Sequence, residues 1–282
     1  MRAHEARRLL AELGFADPSV TPITGGWASW TFELESGQIL RVARNPEIDA
    51  AHRREARLLP ALAESVSFAV PAPTHFGVHN GLTYMVYRRL PGRGLRAGDE
   101  VAPIASMLAE LHAFPVEQAV ELLGCEGTAQ AWRYDYVGIW KWVDAEVLPV
   151  LDTPLREAVR SEFDAVLPEL ADITPALVHR DLGCEHILTD PDTRVPTGII
   201  DFETATVGDP VIDFVGLLIT LGEVETRRLV DAWPGEFSWS RLRFYMWMGA
   251  VHAIRYGIRE GDDALIAEGV EGLRGRLPGG VS

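Results

Sequence analysis

The sequence predicts an α+β protein with two lobes, a β-rich N-terminal lobe over residues 1–89 and a mostly helical C-terminal lobe over residues 90–282. Before residue 90, short segments of alternating apolar and polar residues are separated by glycine turns, as in antiparallel strands. After residue 100, apolar residues mostly recur at helical spacing. Between these patterns lies a glycine-rich, polar connector, Leu90–Asp99, which is typical of a hinge. Such an arrangement places a ligand cleft at the junction of the lobes.

The N-terminal lobe is predicted to contain a three-stranded meander, a helix and a further strand. An amphipathic helix is expected over the first 15 residues, ahead of the meander. Turns at Gly25-Gly26 and Ser36-Gly37 separate the strands of the meander. The predicted elements after the first helix are the strands Val20–Thr24, Trp30–Leu34, Gln38–Val42 and Leu82–Tyr87 and the helix Ile48–Ala63.

The C-terminal lobe is predicted to be helical, with short interruptions of β-structure. The expected helices are Val101–His112, Ala131–Val150, Leu155–Leu170 and further helices from Pro210 onward. We expect Ala176–His179 to pair with Ile187–Thr189, and a second β-segment at Gly198–Asp201. This pairing would bring the residues after position 179 close to residue 201.

Composition and charge exclude several classes of protein. The 282 residues carry a formal net charge of −15, which argues against nucleic-acid binding, because phosphate contacts need clustered lysine and arginine. The acidity is compatible with a cationic ligand, although solubility alone would also explain it. Two cysteines are too few for a disulfide scaffold or a thiolate metal site. The longest apolar run, Val211–Leu221, is too short to span a bilayer, and the first residues lack an apolar signal core, so we expect a cytoplasmic protein without membrane contact. The oligomeric state is left open.

The segment from Leu177 to Phe214 carries the residues with the most specific chemistry. Phosphoryl transfer to a hydroxyl needs a carboxylate that orients the hydroxyl and accepts its proton, and ligands that hold Mg²⁺ against a triphosphate. Asp181, in the sequence His-Arg-Asp, fits the base. His186 and Asp201 fit the metal ligands. Either aspartate alone could be an ordinary turn residue, but their joint spacing predicts that all three side chains face one cleft.

The N-terminal lobe supplies groups suited to the phosphates of a nucleotide. Gly25 and Gly26 lie between two predicted strands, where a backbone without Cβ atoms can approach phosphates closely. Arg41 lies on the third strand and Glu55 on the following helix. An ion pair between them would hold a cation over the α- and β-phosphates, and an exposed surface pair is the alternative.

Together these segments resemble the aminoglycoside and macrolide phosphotransferase family, whose members are relatives of protein kinases. VHRDLGCEHILTD is similar to the catalytic loop of that family, and GIIDFETATVGDPVIDF to its metal-binding strand and following helix start. ITGGWASWTF, which includes Ser29, is similar to its nucleotide loop. LRVARNPEIDAAHRREARLLPAL resembles its strand-and-helix pair, and MLAELHAFP the helix entering its second lobe. The resemblance covers most of the chain and implies a protein-kinase-like fold.

The resemblance implies a role for each candidate residue. Asp181 would be the catalytic base, and Asp213 would brace the catalytic loop. The implied Mg²⁺ ligands are His186 and Asp201, and the implied nucleotide-binding residues are Gly25, Gly26, Ser29, Arg41, Glu55 and Tyr87. Three positions depart from the family pattern: His186 stands where asparagine is usual, Arg41 where lysine is commoner, and Arg180 where a small residue is usual.

The spacing after Asp201 indicates a small-molecule acceptor. Only six residues separate Asp201 from Gly208, which leaves no room for the long activation segment on which protein kinases bind peptides. Glu203 also replaces the glycine of their Asp-Phe-Gly triplet. Acceptor contacts are expected from Glu203, Trp132 and Tyr136, with a surface carboxylate and helix-core aromatics as the alternatives.

The expected reaction is transfer of a γ-phosphate from ATP or GTP to a hydroxyl of a small molecule, an antibiotic of the aminoglycoside, macrolide, nucleoside or peptide type, which would confer resistance. A cationic antibiotic would suit the negative charge of the protein. Tyr87 would lie beside the nucleotide base and favour GTP, unless it points into the core of its lobe. Two alternatives stay open: a metabolic kinase of the choline, sugar or homoserine type, and a non-catalytic nucleotide-binding pseudokinase. Intact Asp181 and Asp201 count against the second alternative.

Overall fold

The two-lobe α+β fold is confirmed by the computed structural model, which describes residues 1–16, 19–23 and 29–277. The N-terminal lobe is built on a five-stranded antiparallel sheet with the strand order β1-β2-β3-β5-β4. Its strands are β1 (Val20–Ile23), β2 (Ser29–Leu34), β3 (Gln38–Ala43), β4 (Pro73–His79) and β5 (Leu82–Arg88). The predicted meander and the strand at 82–87 are therefore present.

Because successive side chains of a strand point to opposite faces, the sheet has one apolar face under a helix and one face toward the cleft. On one face, Leu40 and Val42 of β3 belong to a small apolar core under the helix α1 (Ala3–Glu12). On the other face, Arg41 lines the cleft between the lobes. An arginine between two buried apolar residues of one strand thus lies on the functional side of the sheet.

The helix α2 (Pro46–Ser65) lies between the sheet and the C-terminal lobe. It begins where the side chain of Asn45 accepts a hydrogen bond from the N–H of Ile48 at 3.0 Å, which satisfies one of the free donors of the first turn. His52 and Glu55, three residues apart and therefore on one side of the helix, are both fully buried. This side of α2 faces the cleft end of the sheet.

The described part of the C-terminal lobe contains seven helices around one large core. They are α3 (Ala102–His112), α4 (Val116–Leu123), α5 (Ala129–Trp142), α6 (Thr153–Glu169), α7 (Val215–Ala232), α8 (Trp239–Glu260) and α9 (Asp263–Arg276). Phe163, Phe244 and Trp247 meet edge to face at its centre, with ring centroids 5.1 to 5.6 Å apart. Among the described residues no helix is both long and apolar enough to cross a membrane.

The predicted pairing of Ala176–His179 with Ile187–Thr189 is wrong. The short strands of this lobe are β6 (Arg93–Gly94), β7 (Ala176–Val178), β8 (Ile187–Thr189), β9 (Pro196–Ile199) and β10 (Thr206–Gly208). β7 pairs with β10, whereas β8 pairs with β6 and β9. The loop after β7 does not return as a hairpin, because Asp213 binds two of its backbone N–H groups and Arg180 adopts a φ of 71°.

The connector Leu90–Asp99 is tied to the C-terminal lobe through β6. Gly92 adopts a φ of 118°, and a Cβ atom there would lie 3.0 Å from the carbonyl oxygen of Thr189, so the close approach of the two segments needs a glycine. Asp99 accepts hydrogen bonds of 2.6 and 2.8 Å from Arg93 and closes the segment on itself. The predicted hinge therefore contains an ordered, paired part.

Besides β6, one helix and two strands are absent from the sequence prediction. The helix α4 lies between Pro115 and Gly124, and the φ of 64° at Gly124 marks its end, a proline–glycine pattern that could have revealed it. β4 is an edge strand whose alternation is broken by a bulge between Pro73 and His75. β10 has three residues, too few to show a period.

Candidate active site

Two cavities meet at the loop between β7 and β8. The first, the sheet cavity of about 470 Å³, lies between the N-terminal sheet, the hinge and β8, and is lined by residues that include Arg41, His186 and Asp201. The second, the loop cavity of about 560 Å³, lies between α2, the end of α4 and the segment after residue 201, and includes Asp181 and Glu203. The predicted catalytic residues thus lie along the boundary of the two cavities.

The loop that carries Asp181 is held from the core by the fully buried carboxylate of Asp213. Its Oδ2 accepts hydrogen bonds from the backbone N–H of His179 at 2.9 Å and from Nε2–H of His112 at 3.0 Å. Its Oδ1 accepts a hydrogen bond of 2.7 Å from the backbone N–H of Arg180. These bonds stabilise the left-handed backbone of Arg180, which is rare outside glycine. The structure therefore has the brace that the resemblance implies.

His179 connects this loop to the strand that precedes Asp201. Its Nε2–H donates to the backbone carbonyl of Ile200 at 2.9 Å, and its ring contacts that of Phe202 with centroids 4.8 Å apart. The side chain is fully buried. His179 is thus a structural residue of the site.

Asp181 lies exposed at the boundary of the cavities. Partial desolvation raises the pKa of its carboxyl group, and the imidazoles of His186 and His179 oppose this rise. A raised pKa strengthens an ionised carboxylate as a proton acceptor. The position and the environment of Asp181 suit a general base.

His186 and Asp201 come together as the sequence predicts. Nδ1–H of His186 donates to the backbone carbonyl of Asp181 at 2.7 Å, so that Nε2 carries the free lone pair of the neutral ring. Nε2 lies 3.8 Å from Oδ2 of Asp201, so the two groups are neighbours on the wall of the sheet cavity.

This ligand pair fits Mg²⁺ bound together with a nucleotide. Within the described part of the chain no cluster of three His, Cys, Asp or Glu side chains forms a metal cage. Mg²⁺ usually binds through one or two protein groups, with phosphate oxygens and waters completing the shell. His186 and Asp201 can supply those two groups.

Arg41 is the centre of a buried ion cluster. Its Nη1 donates to both carboxylate oxygens of Glu55, at 3.0 and 3.1 Å. Its Nη2 donates to Glu203 at 2.8 Å and to Asp201 at 3.3 Å. The side chains of Arg41 and Glu55 are 8% and 0% exposed, so the pair is buried and the alternative of a surface ion pair does not hold.

The environment of the cluster shifts the pKa values of Arg41 and Glu203. Burial alone would lower the pKa of Arg41, but the carboxylates, Glu55 foremost, outweigh this and raise it. Burial raises the pKa of Glu203 to about 7, although the charge of Arg41 acts against the rise. Glu203, predicted from the sequence as an acceptor contact, therefore has a protein partner as well as a place in the loop cavity.

Tyr87 lies on the cleft face of β5. Tyr84 and Val86 join the core under α1, whereas Tyr87 lines the sheet cavity beside the hinge. Burial raises the pKa of its phenol to about 12, with Arg41 opposing the rise. The alternative in which Tyr87 points into the core of its lobe is therefore excluded, and its contact with a nucleotide stays a prediction.

The predicted nucleotide loop is described only in part, because Gly25 and Gly26 lie outside the described residues. Ser29 starts β2, is buried, and shares a 2.8 Å hydrogen bond with Nε2 of His52 on α2. Burial lowers the pKa of His52 to about 3, so its ring is neutral. The hydroxyl of Ser29 thus has a protein partner, and its contact with a nucleotide stays a prediction.

Trp132 and Tyr136, predicted as acceptor contacts, lie mainly in the core, at 2% and 5% exposure. The Nε1–H of Trp132 donates to the hydroxyl of Tyr245 at 2.9 Å, and that hydroxyl donates to Asp209 at 2.8 Å. Only Trp132 reaches the side cavity, a third cavity of about 310 Å³ next to the loop cavity. The guanidinium of Arg180 lies 5.7 Å from the ring centroid of Trp132. Acceptor binding by these aromatic residues stays a prediction, with little exposed surface to support it.

Asp209 is a site-supporting residue that the sequence prediction misses. Its Oδ1 caps the following helical turn by accepting from the N–H of Val211 at 3.1 Å, which an aspartate before Pro210 could have suggested. Its Oδ2 accepts from Nε–H of Arg241 at 2.7 Å as well as from Tyr245. These partners lie more than 30 positions away, and no local pattern identifies them.

Comparisons with known proteins identify the family and agree with the fold. A profile of the phosphotransferase enzyme family matches residues 19–245. Viomycin phosphotransferase from Streptomyces vinaceus is 29% identical over 236 residues, which cover 78% of this chain and 80% of that protein. The GDP and kanamycin complex of APH(2″)-IIIa superposes with a TM-score of 0.87 and 26% identity over 98% of each chain. Macrolide 2′-phosphotransferase type I shares the fold, with a TM-score of 0.71 and 24% identity over 96% of each chain.

We predict that Asp213→Asn releases the loop between β7 and β8. The amide can accept through only one oxygen, so at least one of the backbone N–H groups of His179 and Arg180 loses its buried acceptor, at a cost of about 1–3 kcal/mol. Hydrogen exchange should show weaker protection at both amides. Asp190→Asn is the matched control, because Asp190 also accepts two backbone N–H bonds but in an exposed turn. Unchanged protection in Asp213→Asn would contradict the brace.

Proposed function

Since the chain belongs to the phosphotransferase enzyme family, we propose that it transfers the γ-phosphate of ATP or GTP to a hydroxyl of an antibiotic and thereby confers resistance. The observation that carries the proposal is the position of Asp181, with His186 and Asp201 on the sheet-cavity side and the loop cavity on the other. The nucleotide would occupy the sheet cavity and the acceptor the loop cavity. Because the donor is a cellular nucleotide, the reaction belongs in the cytoplasm.

The proposed reaction is an in-line displacement. The acceptor oxygen forms a bond to the γ-phosphorus, the bond to the β–γ bridging oxygen breaks, and the nucleoside diphosphate leaves with that electron pair. The carboxylate of Asp181 orients the hydroxyl and takes its proton. His186 and Asp201 would hold Mg²⁺, which supplies neutralisation of the charge on the phosphates when it is bound. Arg41, fixed by Glu55, offers a cation on the same side.

The size and charge of the acceptor side favour an antibiotic over a small metabolite. The loop cavity and the side cavity share Cys125 and Thr206, and together they exceed what choline or homoserine would fill, whereas drug-sized ligands occupy cavities of this size. Two arginines line these cavities, Arg54 and Arg180. Five carboxylates line them as well: Glu47, Glu126, Asp135, Asp181 and Glu203. This excess of carboxylates suits a cationic acceptor. Similarity to viomycin phosphotransferase and to a kanamycin-bound structure supports the same class of acceptor.

We predict that Asp181→Asn lowers turnover by about two to four orders of magnitude, the range expected for loss of a general base. Nucleotide binding should hardly change, because Asp181 lies on the acceptor side. Phosphorylation of viomycin, kanamycin and a macrolide, followed by mass spectrometry, identifies the acceptor and then gives the rates. Asp172→Asn, an exposed aspartate away from the cavities, is the control. Near-normal turnover in Asp181→Asn would refute the assignment.

We predict that Asp201→Ala abolishes Mg²⁺-dependent activity, because the cation then loses its carboxylate ligand. His186→Asn should keep part of the activity, since an amide oxygen can replace Nε2, and His186→Ala should need more Mg²⁺ for half-maximal rate. Activity is measured across a Mg²⁺ titration. If His186→Ala follows the wild-type curve, the histidine is not a ligand.

We predict that GTP serves as donor at least as well as ATP, because the phenol of Tyr87 narrows the sheet cavity beside the hinge. Guanine can shift and still bond the hinge backbone with a different set of donors and acceptors. Competition between ATP and GTP is measured for wild type and Tyr87→Met, with Tyr84→Met on the opposite face of β5 as control. A strong wild-type preference for ATP that Tyr87→Met leaves unchanged would rule out this role.

A further inference from the structure

Both terminal nitrogens of Arg41 have carboxylate partners. A guanidinium group carries two N–H bonds on each terminal nitrogen and one on Nε. Nη1 donates to the carboxylate of Glu55, and Nη2 donates to two different carboxylates, Asp201 and Glu203. A phosphate oxygen that approaches Nη2 can therefore receive a hydrogen bond only by displacing one of these two carboxylates.

Glu55 and Asp201 are poor candidates for displacement. The side chain of Glu55 is 0% exposed and binds Nη1 through both oxygens, so its release would leave an unpaired charge in the core. Asp201 is more exposed and its bond to Nη2, at 3.3 Å, is longer than that of Glu203, but its second oxygen is the proposed metal ligand, and the cation would keep it at the cleft. Both carboxylates therefore hold the guanidinium in the same place with or without a nucleotide.

Glu203 has neither the buried, two-oxygen contact of Glu55 nor the proposed metal contact of Asp201. It binds Arg41 through one oxygen, it lies in a 3₁₀ turn over Phe202–Thr204, and its side chain also lines the loop cavity. Rotation of this side chain into the loop cavity would keep the carboxylate solvated. One guanidinium faces three carboxylates in the cluster, so the loss of one partner leaves it with two opposite charges.

We propose that Glu203 is a positioning residue that holds Arg41 while the cleft is empty. When a nucleotide binds, a phosphate oxygen replaces Glu203 as the acceptor of the hydrogen bond from Nη2 of Arg41. The carboxylate of Glu203 then turns into the loop cavity. Glu203 and the phosphates compete for Nη2, and removal of the charge at position 203 strengthens phosphate binding. The proposal rests on the proposed function in one respect, the binding of the nucleotide in the sheet cavity.

The test compares the affinities of wild type and Glu203→Gln for Mg²⁺-ATP, Mg²⁺-GTP, adenosine and guanosine by calorimetry. The amide keeps the size of the side chain and removes its charge. We expect the triphosphates to bind about 5- to 20-fold more tightly to Glu203→Gln and the nucleosides to bind equally to both proteins. Glu47→Gln, which removes another carboxylate from the loop cavity, is the matched control and should leave the triphosphate affinity within about twofold of wild type.

Each result decides between named outcomes. Unchanged or weaker triphosphate binding to Glu203→Gln overturns the exchange, and so does an equal gain for the nucleosides or for Glu47→Gln. Absence of triphosphate binding to the wild type overturns the proposed function, and the exchange with it. A structure of the wild-type protein with Mg²⁺-ADP gives a second test that needs no variant: the carboxylate of Glu203 should lie beyond 4 Å from Nη2, and a bond still at 2.8 Å overturns the proposal.

Discussion

The buried carboxylate of Asp213 fixes the positions on which the rest of the site depends. It accepts two backbone N–H bonds from the loop and one from His112 of α3, all without contact with solvent. A buried charge with fewer partners would be costly, so the loop, the helical turn of Asp213 and α3 are stabilised together. Asp181, the proposed base, follows directly after the fixed residues, and His186 is held in turn by the carbonyl of Asp181. The geometry of the cleft is thus determined from the core of the C-terminal lobe.

Arg41 and Glu203 both depart from the usual kinase sequence, and in the structure they bind each other. A lysine at position 41 would present a single nitrogen, whereas an arginine presents two and needs more acceptors. Glu203, in place of the glycine of protein kinases, supplies one of them. Because Arg41 belongs to the N-terminal sheet and Glu203 to the C-terminal lobe, the same bond connects the lobes. The sequence shows the two residues 162 positions apart, and their relation is visible only in the folded chain.

The sequence is sufficient for the fold class and for the proximity of most residues of the candidate site, because these depend on local patterns. Arg41 stands out as a charge within an apolar strand, and Asp181, His186 and Asp201 lie within 21 positions of one another. The pairing of β7 could not be derived in this way, because three-residue strands have no period and their partners are selected by Asp213 and the left-handed Arg180. The burial of Trp132 could not be derived either, because its partner Tyr245 lies 113 positions further along the chain.

The pairing of β6 with β8 determines how the two lobes can move against each other. Residues 93 and 94 are hydrogen-bonded to the strand that directly follows His186, and Gly92 is in close contact with the same strand. These residues must travel with the C-terminal lobe when the cleft opens. The lobes are also joined where the backbone of Ala69 hydrogen-bonds to Thr197 and Ile199 of β9, and where α2 packs into the core of the C-terminal lobe. Rotation is therefore confined to an axis that passes through these connections and the residues between β5 and Gly92. We expect the cleft to open and close by rotation about one axis, so that the N-terminal sheet returns to the same position over His186 each time the cleft closes.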